Sequence, residues 1–112
     1  MTKFVYLFRS DPSVFRSMSP EQMQQTMKKW MDWREGLEKN GHIQQGQRLD
    51  GSGKVIRGNA KAVTDGPYVE VKDSIQGFLL VEANDIDEAT ELAKGCPILE
   101  REGTVEVRAV AS

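Results

Sequence analysis

Ile75-Gln76-Gly77-Phe78-Leu79-Leu80-Val81-Glu82-Ala83 is the most strand-like run of the chain, and the way it must be covered decides the fold. Successive side chains of a strand point to opposite faces. Phe78, Leu80 and Val81 are core candidates that fall on both faces, so the strand belongs inside a sheet. Gly77 marks either a bulge or a point of close packing. Immediately afterwards Asp85 reads as a helix N-cap with Glu88 at N3. Ile86, Ala89, Leu92 and Ala93 form the buried stripe of that helix, and Lys94-Gly95 is a fitting end. A last strand, residues 104–110, alternates Val105, Val107 and Ala109 against Glu106 and Arg108.

The first half of the chain repeats the pattern. Residues 3–9 set Phe4, Tyr6 and Phe8 against Val5 and Leu7, again apolar on both sides. Residues 10–18 read as a polar connection anchored by Val14 and Phe15. Ser19 is then an N-cap, with Pro20 at the first helical position, Glu21 in the first turn and Gln22 placed for a capping box. At 100° per residue, Met23, Met27, Trp30, Met31, Trp33 and Leu37 fall on a stripe about 160° wide, the pattern of a helix packed on a sheet. Asn40-Gly41 ends it, with Gly41 in the left-handed C-cap position. Residues 43–49 read as a strand, Asp50-Gly51-Ser52-Gly53 as a hairpin loop, 54–57 as a return, Gly58-Asn59 as a turn and 61–64 as a short strand.

The order strand, helix, strand, hairpin, strand, helix, strand gives an α+β fold. Two βαβ-like halves build an antiparallel sheet with two helices on one face, the ferredoxin-like arrangement. The other face is left bare by the chain itself, and its apolar residues predict burial by a second copy, a homodimer.

The totals fit one soluble domain. At 112 residues, 38% hydrophobic and 29% charged, the chain is long enough for a core and is not of disordered composition. A net charge of −2 with both signs interspersed gives no basic face for nucleic acid. The longest apolar run is too short to span a membrane, and the first residues enter a strand without a signal-peptide pattern. A single cysteine, Cys96, excludes an internal disulfide and agrees with a cytoplasmic location; a lone His42 excludes a multi-histidine metal site within one chain. No pattern calls for a cofactor or a metal.

Candidate chemistry sits in three places. Arg34 lies near the centre of the apolar stripe of the first long helix, where a cation snorkels to water, pairs with a carboxylate, or faces a cavity and holds an anionic ligand. Trp30 and Trp33 flank it and would line such a cavity. His42, entering a strand just past a helix C-terminus, is either a structural cation at that helix end or a general base. Asp65-Gly66-Pro67 is a rigid turn, and beyond it Tyr68, Glu70 and Lys72 share one side of an extended stretch. That face is either simply solvated or rims the open end of a sheet–helix cleft, where a carboxylate, a phenol and an ammonium can move protons on a small substrate. Cys96, at the negative end of the second helix, reads as a buried small hydrophobe rather than a nucleophile.

The run Val63-Thr64-Asp65-Gly66-Pro67-Tyr68-Val69-Glu70-Val71-Lys72 closely resembles the motif that names the DGPF (DGPFAETKE) family, within the broader YCII-related family. Tyr68 stands for the usual phenylalanine, and Val69 and Val71 for alanine and threonine. Gly77–Ala83, Asp87-Glu88-Ala89, Gly95-Cys96-Pro97 and Val105-Glu106-Val107-Arg108 also match, so the resemblance covers nearly the whole chain. It implies a ferredoxin-like dimer of the dimeric α/β-barrel type in the bacterial cytoplasm. It also implies an enzyme with a histidine–aspartate pair in a cleft, and one branch resembles a dehydrochlorinase of chlorinated hydroxyquinols. Asp65 matches the aspartate of the motif. Relatives of the DGPF branch are associated with extracytoplasmic-function sigma factors, which implies a regulatory partner instead. Two expectations follow. In the first, the protein is a metal-independent lyase- or isomerase-like enzyme, with Asp65 as acid/base or its orienter, His42 as partner, and Arg34 with Trp30 as ligand clamp. In the second, it is a non-catalytic binding or regulatory module.

Overall fold

The structure, a computed structural model, describes residues 1–66 and 73–111. Among these residues six strands and three α-helices follow one another as β1 (Thr2–Arg9), α1 (Ser13–Arg16), α2 (Pro20–Lys39), β2 (Ile43–Arg48), β3 (Lys54–Arg57), β4 (Ala62–Asp65), β5 (Ile75–Ala83), α3 (Ile86–Ala93) and β6 (Thr104–Ala109), with a 3-10 turn over Pro97–Arg101 before β6. Four strands form one antiparallel sheet in the order β2-β5-β1-β6. The halves β1-α2-β2 and β5-α3-β6 thus interleave at the sheet centre, and the architecture is ferredoxin-like.

Local chemistry places the helices as the sequence predicts. Ser19 Oγ accepts from the Gln22 N–H at 3.1 Å while Gln22 Oε1 accepts from the Ser19 N–H at 2.9 Å, a complete capping box ahead of Pro20. The far end closes on Gly41, whose φ of 76° is open to glycine at no steric cost. There the Gly41 N–H donates to the Glu38 carbonyl and the His42 N–H to that of Leu37, so orphan carbonyls of the last turn are satisfied. In α3, Asp85 Oδ1 accepts from the Glu88 N–H at 2.8 Å.

The core lies between the sheet and the two long helices. Phe4, Tyr6 and Phe8 of β1 and Leu79, Val81 and Ala83 of β5 meet Leu37 of α2, Ala89 and Ala93 of α3, Cys96 and Ile98. Strand alternation turns Val5, Leu7, Phe78 and Leu80 to the opposite face, where Val5 pairs with Leu80 and Leu7 with Phe78 across the strands. All four remain only half-buried.

Three features depart from the sequence reading. The segment 50–53 is not a hairpin loop joining β2 to β3. β2 pairs with β5, and β3 pairs with β4 in a separate two-stranded sheet turned through Gly58. The reason is close approach: a Cβ on Gly46 would lie 2.7 Å from the Phe78 carbonyl oxygen, and one on Gly77 would lie 2.8 Å from that of Gln47. These two glycines let the β2 and β5 backbones meet, and both of the alternatives offered for Gly77 hold, because the β1–β5 register skips at Gln76. Second, the connection over 10–18 contains the short helix α1, started by Asp11 Oδ1 accepting from the Ser13 N–H. Third, the apolar stripe of α2 is not packed along its whole width. Leu37 is buried, but Met27 and Met31 are 39% and 67% exposed, because the helix stands off the β2 edge of the sheet and leaves a cleft there.

Candidate functional site

That cleft has a volume of about 670 Å³. Its apolar wall starts from β1 and α2. Phe8 meets the Trp30 ring edge to face at 5.1 Å between centroids, and Trp30 meets Trp33 in the same way at 5.8 Å. Trp33 is anchored from behind, because its Nε1–H donates to the Leu92 carbonyl at 3.0 Å and its ring stacks on Tyr6. Phe15 of α1 supplies a further ring, over which the Arg48 guanidinium sits at 5.6 Å. The rims carry charge: Arg34 from α2, Arg16 from α1, and Arg48 with Asp50 where β2 runs out.

Among the described residues Asp50 is the one carboxylate lining the cleft. Its Oδ1 accepts from the Ser52 N–H at 2.8 Å, and that hydrogen bond holds its pKa below the usual carboxylate value. It is therefore ionised at neutral pH. Arg34 has no carboxylate within ion-pair distance among the described residues. The acids nearest to it along α2 are paired with lysines, Asp32 with Lys28 at 2.9 Å and Glu35 with Lys39 at 3.4 Å. Arg16 is partly answered by Asp11, whose carboxyl it helps to hold down.

The sequence-predicted residues divide. Arg34 and Trp30 line the cleft, with Arg34 exposed to solvent at its rim. His42 and Asp65 are not among its lining residues. His42 precedes β2 at the end opposite the cleft, about 20 Å away along the strand, and its Nδ1–H donates to the Glu82 carbonyl at 2.7 Å. Asp65 closes β4 in the separate hairpin, where its side chain is 90% exposed and meets Lys54 Nζ at 2.8 Å. Each has its own partner on a different sheet, and the structure does not bring the pair together. Tyr68, Glu70 and Lys72 lie outside the described residues. Arg16 and Asp50 were missed because they sit in segments read as connections, and Arg48 because it sits in a stretch read simply as a strand; only the tertiary fold gathers all three with Arg34 around one cleft. Cys96 is buried, and burial pushes its thiol up to about 12. Among the described residues no three His, Cys, Asp or Glu side chains gather where a metal ion could be held, and no helix is long and apolar enough to cross a membrane.

Three comparisons bear on this arrangement. A family model, that of the YCII-related domain, matches residues 2–112. Among solved structures, the chain is similar to the 5-chloro-2-hydroxyhydroquinone dehydrochlorinase of Burkholderia phenoliruptrix AC1100 in complex with 2,5-dihydroxybenzoquinone. The TM-score is 0.59 with 97% of this chain and 93% of that chain covered, at 16% identity, a likeness of fold. No curated protein matches the chain in sequence.

Proposed function

The chain belongs to the YCII-related family, and from that premise we propose that it is a small-molecule enzyme of lyase or isomerase type working by acid–base chemistry in the cleft between α2 and the β2 edge. The observation that carries the reading is the joining of an aromatic wall, Phe8, Trp30, Trp33 and Phe15, to a charged rim in one concave site. Such a site takes a flat ring against its aromatic wall and leaves the polar substituents at the rim. The structural neighbour, a dehydrochlorinase bound to a six-membered quinone, supports a flat ring as the occupant. Asp50, ionised and placed at the rim, is the group in position to accept a proton from the substrate. Arg34 and Trp30 bind and orient.

The test is chemical. A panel of hydroxylated aromatic and quinoid compounds is incubated with the protein in deuterated water and followed by NMR. The expected result is that one member exchanges a ring proton or loses a substituent only when the protein is present, and that Asp50→Asn stops this while binding persists. Saturable binding with no chemistry in any member would make the protein a binding module instead.

We also propose that a second copy covers the open face of the sheet. Val5, Leu7, Phe78 and Leu80 form an apolar patch there, and the Cα radius of gyration, 15.4 Å, exceeds the value of about 13 Å for a compact chain of this length. A monomer by light scattering at micromolar concentration would exclude the dimer.

A further inference from the structure

We infer that the cleft selects ring compounds bearing a carboxylate, with Arg34 and Arg48 as the residues that read it. The inference rests on the proposal that the cleft is the ligand site and adds the charge and shape of what binds there.

Charge comes first. Arg34 and Arg48 belong to different elements, α2 and β2, and reach the same space. Neither has a carboxylate within ion-pair distance among the described residues, whereas the lysines of α2 are paired with the acids around them. Arg16 adds a third cation, partly offset by Asp11. Among the described residues Asp50 is the single opposing charge in the lining, so their sum there is positive with one ionised carboxylate at the mouth of the cleft. A neutral ligand would leave that field unanswered.

Shape narrows the anion. A guanidinium presents a planar fork of donors that fits the two oxygens of a carboxylate, and a carboxylate on an aromatic ring lies in or near the ring plane. The ring can then rest on Trp30 and Phe8 while its carboxylate reaches the rim. Phosphate recognition commonly uses backbone N–H groups at a helix N-terminus. Helix α2 runs from Pro20 and turns Met27 to Arg34, its middle and later turns, toward the cleft, so its N-terminal N–H groups point elsewhere.

The experiment compares 2-naphthoate with 2-naphthamide, the same ring with and without the charge, by isothermal titration calorimetry on the full chain. The expected result is that the carboxylate binds at least about ten-fold tighter, as charge-assisted hydrogen bonds predict. Raising the salt concentration narrows the gap. Arg34→Gln and Arg48→Gln each remove most of the carboxylate's advantage over the amide measured on the same variant; circular dichroism confirms that both variants fold. Equal binding of the two compounds would overturn the carboxylate inference while leaving the cleft as a ring-binding site. Binding of neither would overturn both it and the reading of the cleft as the ligand site. A carboxylate preference that survives in the double arginine variant would place the recognition elsewhere and overturn the assignment.

Discussion

The hydroxyl of Tyr6, at the centre of β1, donates to the carbonyl of Ala89 in α3, 83 residues further along the chain. The contact ties the first strand to the second helix through the middle of the core. Tyr6→Phe keeps the ring and removes the bond, so it should cost about 1–2 kcal/mol of unfolding free energy in urea without changing the fold. A loss below about 0.3 kcal/mol would show that the bond contributes little.

Burial raises the pKa of Tyr6 and of Cys96, each to about 12, from their ordinary values of 10.0 and 9.0. In the unfolded chain both groups release protons at lower pH than in the folded one, so folding stability is full below about pH 9 and declines as pH rises toward 12. Thermal melts from pH 7 to 11 should fall steeply above pH 9, and Cys96→Ala should flatten part of that fall. The same burial predicts that Ellman's reagent at pH 8 labels no thiol in the native protein and one per chain in denaturant.

Two residues of the same α2 stripe should behave differently. Leu37→Ala removes a buried side chain from the core and should cost about 2–4 kcal/mol. Met31→Ala removes a side chain exposed at the cleft and should stay within about 0.5 kcal/mol. Denaturant midpoints measure both.

Gly77→Ala should disturb the cleft from its sheet side. The added Cβ would meet the Gln47 carbonyl oxygen and the Arg48 Cα, backbone atoms that cannot step aside alone. A cost of about 1–3 kcal/mol is expected, together with a change in the emission of Trp30 and Trp33, the chain's two tryptophans, as the β2 edge shifts. Unchanged stability and unchanged emission would show that β2 yields freely.

Asp65→Asn removes one side of an exposed ion pair with Lys54, and such pairs contribute little. Stability should move by less than about 0.5 kcal/mol, and binding in the cleft should be unaffected. A loss of binding comparable to that of the arginine variants would return Asp65 to the site.

The frame of this molecule was legible in its sequence because short-range chemistry sets it. Ser19, Pro20 and Gln22 start α2, Gly41 ends it, and the alternation in residues 3–9 and 75–83 fixes which face of each strand meets the helices. Helical phase alone placed Trp30 and Arg34 toward one space. What it could not give was the width of the gap between α2 and β2, because that gap comes from tertiary packing. Arg16, Arg48 and Asp50 became neighbours of Arg34 only once three elements met. The reverse holds for Asp65 and His42, whose side-chain types suggest a pair, but Asp65 ends a strand of the separate hairpin while His42, just before β2, is tied to Glu82 of the main sheet.

The hairpin β3–β4 carries one more consequence. Its root is closed by the Gly66 N–H donating to the Gly53 carbonyl at 2.9 Å, so the two ends of residues 54–65 are already neighbours. Among the described residues none of its ladder bonds is shared with the four-stranded sheet. The segment is therefore a detachable module in the engineering sense: it can be shortened, lengthened or exchanged at Gly53 and Gly66 without re-registering a strand of the core. Because Gly51, two residues before that junction, lines the cleft, such an exchange would alter the surroundings of the binding site while leaving intact the framework that holds it.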